Sequence, residues 1–182
     1  MKFQELVLQR QSDRNYIENK LVERRKILNC IEASRLAPSA CNSQPWHFII
    51  VDEPKLKSEV ANAMSNKLLP LNHFTNQAPV MVVIVNEGSN FTATLGNKIK
   101  QKDLSATDIG IAAEHFCLQA VEEGLGTCML GWFDEKKIKE LLNIPKNKRI
   151  ELLITLGYPK PDSTRIKKRK KIEEIVSYNS YK

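Results

Sequence analysis

The longest uninterrupted apolar run of the chain is Pro79 to Val85, near its middle. The letters that follow the proline, VMVVIV, show no alternation of apolar and polar residues, which is typical of a β-strand buried on both faces. The run is far shorter than the ~20 residues that a membrane-spanning helix needs. We therefore expect a buried strand here and no membrane segment.

The rest of the pattern predicts helices and strands that follow one another without an internal repeat or a linker. The predicted helices are 2–10, 23–36, 54–66, 105–123 and one from the capping residue Asp134 to Leu142, and the predicted strands are 47–51, 127–130 and 151–156. Together with the central strand these elements indicate one α+β domain over residues 1–182, with helices packed on a sheet of at least four strands.

Two of the predicted helices carry more detailed expectations. In the helix 23–36, Ile27, Leu28, Ile31 and Leu36 fall near the spacing of a buried stripe. In the helix 105–123, apolar residues occur almost all round, so this helix is expected to be central or at a subunit interface. The sequence predicts that Gly124 and Gly126 end it.

The composition favours an ordinary intracellular globular protein. Hydrophobic residues make up 42% of the 182, which is enough for a buried core. The N-terminal residues lack the apolar stretch of a signal peptide, so we expect a cytoplasmic location. The four cysteines form no CxxC pair and no zinc-type cluster with histidine, which predicts reduced and mostly packed thiols and no metal site.

The positive charge of the chain is concentrated at its C-terminal end. The net charge is +7, of which residues 160–182 contribute +5 through eight basic and three acidic side chains, and the other 159 residues contribute +2. Such a basic tail is typical of a solvated segment or of a single anion site. Nucleic-acid binding is the less favoured alternative, because no helix-turn-helix, RNP-like strand or zinc finger accompanies the tail.

Rossmann, P-loop, zincin and α/β-hydrolase interpretations lose their support because their motifs are missing from the sequence. The sequence contains no GxGxxG after a strand, no GxxxxGK[ST], no HExxH and no GxSxG. A cysteine nucleophile at Cys41 with His47 as its base is a weak alternative, since His47 begins an apolar strand and is expected to be a partly buried structural imidazole.

Four remaining features fit a phosphorylated, ring-bearing ligand. Arg10, Ser12 and Arg14 follow the first helix and could hold a phosphate through charge-assisted hydrogen bonds. The Ser/Asn/Gln loop 39–44 could bond a polyol, and the glycine turn in LGWFD would let main-chain N–H groups approach a flat heterocycle. The basic tail could reach the same phosphate.

Several segments of the chain are similar, in order, to the motifs of one enzyme family. RQSDRNY is similar to RRSxRxY/F, and APSACNSQPWHFIIV is similar to APSxxNxQPWxFxVV. The long helix with its glycine turn, the closing GYP, and KKRKKIEEIV against RKPLEEIV follow in the same order. On these segments the chain resembles the nitroreductase superfamily of FMN-dependent NAD(P)H oxidoreductases. Gln11 stands where the family commonly has a second arginine, and Lys171 where it commonly has proline.

The resemblance implies an intertwined homodimer with FMN at the subunit interface, built on a mostly antiparallel sheet flanked by helices. Arg10, Ser12 and Arg14 would hold the FMN phosphate and ribityl chain, with Gln11 contributing main chain, and Lys167 and Arg169 would reach it from the tail 160–182. The partner chain would line the flavin with Pro38, Ser39, Ala40, Asn42 and Gln44, while Met129, Leu130, Gly131 and Trp132 would lie along the ring, the N–H groups of Gly131 and Trp132 directed at N5 and O4.

The activity implied is ping-pong transfer of hydride from NADH or NADPH through the flavin to a small acceptor, such as a nitroaromatic, a quinone or another flavin. No side chain is expected to act as acid or base, because the cofactor carries the chemistry. A short connection between Glu87 and Lys102 would leave the pocket open, without the lid insertions of the dehalogenating branches. The alternatives are a flavin-storage protein or a basic nucleic-acid-binding module.

Overall fold

A computed structural model describes residues 2–65, 71–89, 103–161 and 165–181, which form an α+β fold. Its helices are α1 (Phe3–Gln9), α2 (Arg24–Arg35), α3 (Pro54–Met64), α4 (Ser105–Glu122) and α5 (Glu135–Leu142). Its strands are β1 (Trp46–Val51), β2 (Val80–Asn86), β3 (Gly126–Leu130) and β4 (Arg149–Gly157). The predicted elements are thus confirmed, with ends that differ by a few residues.

The four strands form one antiparallel sheet in the order β1-β2-β4-β3. The run VMVVIV is the second strand, and all six of its residues are buried. It is paired on both sides, with His47 opposite Val85 on β1 and Leu153 opposite Val83 on β4. The expectation of a strand buried on both faces is confirmed.

Helices cover both faces of the sheet, and each face has its own apolar core. On one face α3 and α5 pack over side chains such as Val60, Met64, Met81, Val83 and Ile138. On the other face α2 and α4 pack over side chains such as Ile27, Val82, Ile84, Phe116 and Ile154. Alternate residues of β2 point into the two cores, which is why its apolar run is unbroken.

The helix ends follow from local chemistry. The Asp134 carboxylate accepts the main-chain N–H of Lys137 at 3.0 Å, so it caps α5 as the sequence predicts. Gly124 has a φ of 73°, which lets the chain leave α4. Gly126 does not end that helix, because it is already the first residue of β3.

The predicted stripe of the second helix is wrong at two positions. Leu28 is 60% exposed and Leu36 is 66% exposed, whereas Ile27, Cys30 and Ser34 are buried. The helix packs on α4 with the face that carries these three residues, and Leu28 lies about 100° around the helix from Ile27.

His47 and one of the four cysteines are exposed. His47 is exposed instead of partly buried, because β1 is an edge strand with a single neighbour, β2. None of the four cysteines forms a disulfide; three of them are buried and Cys41 is exposed. Within the described ranges no helix is long and apolar enough to cross a membrane. Most of the connection expected between Glu87 and Lys102 lies outside the described residues.

Candidate functional site

The segment Arg10–Arg14 leaves α1 and is fastened to the start of β3. The main-chain N–H of Asp13 donates to the Thr127 carbonyl at 2.8 Å, and Ser12 forms a parallel bridge with Thr127. The buried Tyr16 hydroxyl lies 2.6 Å from Thr155 Oγ1 on β4 and donates to the Asp13 carbonyl at 2.9 Å. These contacts fix the main chain from which Arg10, Ser12 and Arg14 project.

Asp13 is a buried acid in the middle of this segment. Its side chain is 5% exposed and accepts the main-chain N–H of Thr127 at 3.2 Å and Gln11 Nε2 at 2.7 Å. Burial raises the pKa of the Asp13 carboxyl, although these hydrogen bonds and the nearby Arg165 and Arg10 act in the opposite direction.

Gly126 makes room for this carboxyl. A Cβ atom at position 126 would lie 2.6 Å from Asp13 Oδ2 and 2.7 Å from Asp13 Cγ, well inside van der Waals contact. A glycine is therefore required where β3 begins beside Asp13.

Three cations converge beside the end of α1. Lys167 Nζ donates to the carbonyl oxygen of Val7 at 2.8 Å, close to the C-terminal end of that helix. The pKa of Lys167 is lowered, first by its desolvation and then by the positive charges of Arg10 and Arg169. Arg10 Nε also lies 3.2 Å from Glu114 Oε1 on α4. The structure thus places Lys167 and Arg10 at the end of α1, with Arg169 two residues further along the tail, and their role in holding a phosphate stays a prediction.

The other two residues of the predicted phosphate set, Ser12 and Arg14, lie beside Cys128 on β3. Burial raises the pKa of the Cys128 thiol, and hydrogen bonds from Arg14 and Ser12 oppose this rise. Arg14 is exposed, and its guanidinium carbon lies 5.9 Å from the centroid of the Phe74 ring. Gln11 points its amide at Asp13 instead of at the cations.

The loop 38–44 is held to the first turns of α4. The main-chain N–H of Ala40 donates to the carboxylate of the buried Asp108 at 3.1 Å. Within the loop, Ser39 Oγ accepts the main-chain N–H of Gln44 at 2.9 Å. The first bond fastens the loop to α4 and the second holds its shape, while the tip of the loop stays exposed.

The tip of this loop has an unusual backbone. Cys41, Asn42 and Gln44 have φ values of 51°, 51° and 46°, in the left-handed region that few residues other than glycine adopt. Gln44 Nε2 donates to Asn42 Oδ1 at 3.0 Å, and both of these side chains are exposed, as is Pro38. Strained backbone that carries exposed polar side chains is typical of a binding loop.

The turn after β3 presents a glycine and an indole to the surface. A Cβ at Gly131 would meet no atom within 4 Å, so neither packing nor φ explains this glycine within one chain. Trp132 is 60% exposed, and its carbonyl accepts Asn72 Nδ2 at 3.4 Å. Leu130 is 8% exposed and belongs to the core, so only its main chain could meet a ligand, whereas Met129 is half-buried.

The loop 38–44 and the segment Arg10–Arg14, which is fastened to the start of β3, lie at different corners of the sheet. Trp46, which follows the loop 38–44, pairs with Asn86 at one end of edge strand β1, whereas Gly126 pairs with Gly157 at the opposite end of β4. Three strand spacings and eight residues of β4 separate the two corners, or about 14 Å across and about 26 Å along the sheet.

Sequence reasoning missed the acids that organise the site. Asp13, Asp108 and Glu114 each hold a predicted site residue in place, yet their partners are distant in sequence, for example Asp13 and Thr127 at a separation of 114 residues. Among the described residues no cluster of three or more His, Cys, Asp or Glu could hold a metal ion. The arrangement of the described residues favours anion binding.

The chain is similar to known proteins of one family. The model of the Nitroreductase family matches residues 7–72 and 66–158. A nitroreductase family protein of Clostridium novyi NT is 35% identical, with a TM-score of 0.78 over 91% of this chain and 89% of that one. An FMN-dependent nitroreductase of Clostridium difficile R20291 is 25% identical, with a TM-score of 0.73 over 97% and 98%.

Two further relatives carry the names of two different enzymes. An oxygen-insensitive NADPH nitroreductase of Helicobacter pylori J99 is 26% identical over 80% of this chain and 81% of its own length. An iodotyrosine deiodinase of Thermotoga neapolitana is 24% identical over 85% and 86%. The similarity therefore extends to relatives with different substrates.

Proposed function

The chain belongs to the nitroreductase family, and on this premise we propose that it is a single FMN-binding domain that oxidises NADH or NADPH and reduces a small organic acceptor. The names of two relatives support the proposal, since one is an FMN-dependent nitroreductase and the other an NADPH nitroreductase. The FMN-storage and nucleic-acid-binding alternatives receive no such support.

The gathering of cations at the end of α1 is the observation that carries this proposal. Lys167 Nζ donates to the carbonyl oxygens of Val7 and Leu8, and Arg10 directly follows that helix. Arg169 is two residues from Lys167 in the tail, and Glu114 supplies one carboxylate against these charges. An excess of positive charge of this kind suits a phosphate dianion, which accepts charge-assisted hydrogen bonds from several donors. The residues present therefore fit the phosphate end of FMN.

Neighbouring groups extend this site along the chain. Ser12 contributes a hydroxyl and Arg14 a guanidinium, both projecting from the segment fixed on β3. We assign Gln11 a main-chain contribution, because its amide is bonded to Asp13. Bound FMN would supply the hydride acceptor and donor of the reaction, and these residues would hold it in place.

The turn after β3 is the proposed place of the flavin ring. Gly131 has open space around its Cα, so a flat ring could approach the main chain of Gly131 and Trp132 closely. Met129 and Leu130 would contribute the strand that supports this turn. The exposed Trp132 indole suits a planar aromatic acceptor, such as a nitroaromatic, a quinone or a second flavin.

The loop 38–44 is proposed to reach the flavin of a partner chain. Three strand spacings and four residues of β4 separate this loop from the turn after β3, or about 14 Å across and about 13 Å along the sheet, which supports a site shared between two copies. In such a homodimer Pro38, Ser39, Ala40, Asn42 and Gln44 of one chain would line the flavin held by the other. The exposed Ile172, Ile175 and Val176 of the tail suit docking onto the partner.

The proposal is tested by an absorption spectrum of the purified protein with and without added FMN, followed by anaerobic addition of NADH and then of NADPH. We expect the bands of oxidised flavin, and we expect a nicotinamide to bleach them. Reoxidation is then followed with a nitroaromatic, a benzoquinone, free FMN and 3-iodotyrosine, the last because of the deiodinase relative. A protein that neither carries nor binds FMN would refute the proposal.

A further inference from the structure

Gln11 uses both ends of its side-chain amide. Its Nε2 donates to Asp13 Oδ1 at 2.7 Å, and its Oε1 accepts the main-chain N–H of Arg165 at 2.9 Å. An arginine, which the resemblance led us to expect at this position, could not make the second bond because it has no acceptor.

The orientation of this amide is dictated by its partners. The Asp13 carboxylate only accepts hydrogen bonds, and the Arg165 N–H only donates, so the amide has one productive orientation. Asp13 in turn is fixed by the N–H of Thr127 and by the space that Gly126 leaves for it. A line of hydrogen bonds thus runs from β3 to the C-terminal tail.

The hydrogen bond between Gln11 and Arg165 lies close in sequence to the two cations of the tail. Arg165 precedes Lys167 by two residues, and Lys167 bonds the carbonyl oxygens at the end of α1. Holding the main chain at Arg165 limits where Lys167 and Arg169 can lie. Without this hydrogen bond, Lys167 and Arg169 would have to approach Arg10 against the repulsion between their positive charges.

We propose that Asp13 and Gln11 are positioning residues that dock the C-terminal tail and so hold Lys167 and Arg169 at the anion site. The proposal rests on the proposed function only for the identity of the anion. The docking itself is a property of the chain and can be measured with or without FMN.

An isosteric exchange tests the line of hydrogen bonds. In Asp13→Asn the new amide keeps its oxygen toward the Thr127 N–H and turns its NH₂ toward Gln11. Gln11 must then turn its amide oxygen toward that NH₂, and its own NH₂ faces the Arg165 N–H, so two donors oppose each other. We expect this variant to release the tail.

A second substitution restores the pattern. In Asp13→Asn with Gln11→Glu, the introduced NH₂ at position 13 donates to one oxygen of the introduced carboxylate at position 11, and the Arg165 N–H donates to the other oxygen. The matched control is Asp13→Asn with Gln4→Glu, which has the same net charge but places the carboxylate at an exposed position in the first turn of α1, away from the end of the helix where the cations lie. We expect the first pair, and not the control, to recover docking.

The measurement is hydrogen exchange of the Arg165 amide in the full chain, together with the rate at which trypsin removes the tail. We expect both rates to rise roughly two- to tenfold in Asp13→Asn, the range for one net hydrogen bond, and to return to the wild-type values in the restored pair alone. Equal rates in the two double variants would overturn the proposal. Gln11→Met, which removes the amide and leaves Asp13 on Thr127, should release the tail as well, and unchanged exchange in this variant would also refute it.

Titration with FMN separates this proposal from the proposed function. If the tail docks as described, FMN affinity should fall in Asp13→Asn and recover in the restored pair. A wild-type chain that binds no FMN would refute the proposed function, and the hydrogen-exchange result could still be interpreted. Normal FMN binding together with unchanged exchange of the Arg165 amide in Asp13→Asn would refute the docking role alone.

Discussion

Gly126→Ala is expected to destabilise the protein through Asp13. The new Cβ would lie 2.6 Å from Asp13 Oδ2 and 2.7 Å from Cγ, about 0.8 Å inside ordinary contact. The carboxyl cannot swing away without giving up the bonds from the Thr127 N–H and from Gln11. Overpacking costs about 1–3 kcal/mol and a bond to a charged group about 1.5–3 kcal/mol. Because relief of the clash sacrifices part of the hydrogen bonding, we expect a loss of about 2–3 kcal/mol.

Thermal unfolding of the purified protein at one fixed concentration measures this loss. For a chain of this size, 2–3 kcal/mol corresponds to a Tm lower by roughly 4–12 °C. The cause is isolated by a double-mutant cycle with Asp13→Ala, which removes the carboxyl that the new Cβ meets. We expect Gly126→Ala to cost less than about 1 kcal/mol in that background, a coupling of at least about 1 kcal/mol. Additive effects would show that the clash with the carboxyl is not the reason for the glycine.

Three further outcomes follow from the site and its supports. Arg10→Ala should weaken FMN binding by about 1.5–3 kcal/mol in a fluorescence titration. The control Arg35→Ala removes an exposed ion pair with Glu32 and should leave FMN affinity unchanged. Equal affinity in the two variants would contradict the phosphate assignment. Asp134→Ala should lower the free energy of unfolding by about 1 kcal/mol through loss of the α5 cap, measured by urea unfolding. Burial raises the pKa of the Cys30 and Cys117 thiols to about 12 and also raises the pKa of the Cys128 thiol. At pH 8 these buried thiols stay mainly protonated, so the exposed Cys41 should give one fast phase with a disulfide reagent. Cys41→Ser should remove that phase, and a remaining fast phase would contradict the prediction.

Elements whose signal is local could be predicted from the sequence. The strand VMVVIV was predictable because a strand paired on both sides and covered on both faces tolerates no polar residue. The α5 cap was predictable because Asp134 acts on a residue three positions away. The helix face of α2 was not, because small side chains at Cys30 and Ser34 pack as closely as leucine, and apolar periodicity alone does not rank them.

In the candidate site, too, features with a local signal could be predicted and those that depend on distant contacts could not. Motif similarity predicted which residues present donors, including Arg10 and Lys167, because each motif is a short run of neighbouring residues. It did not identify Asp13 or Gly126 as supports, since their contact joins positions 113 residues apart and depends on the register of β3. Burial of the Leu130 side chain also required the structure, because residues at the end of a strand alternate between core and surface with its register.

The order of the strands has a consequence for synthesis of the chain. The most apolar strand, β2, ends at residue 86, but its second neighbour, β4, is complete only at residue 157, which is 71 residues later. At a translation rate of about 5–20 residues per second, roughly 4–14 s pass before that edge of β2 can be paired. During this interval an unpaired, uncharged β-edge is available to other nascent chains, which is the property of aggregation-prone segments. Slower translation lengthens this interval in direct proportion, so the yield of folded protein should depend on how fast residues 87–157 are made.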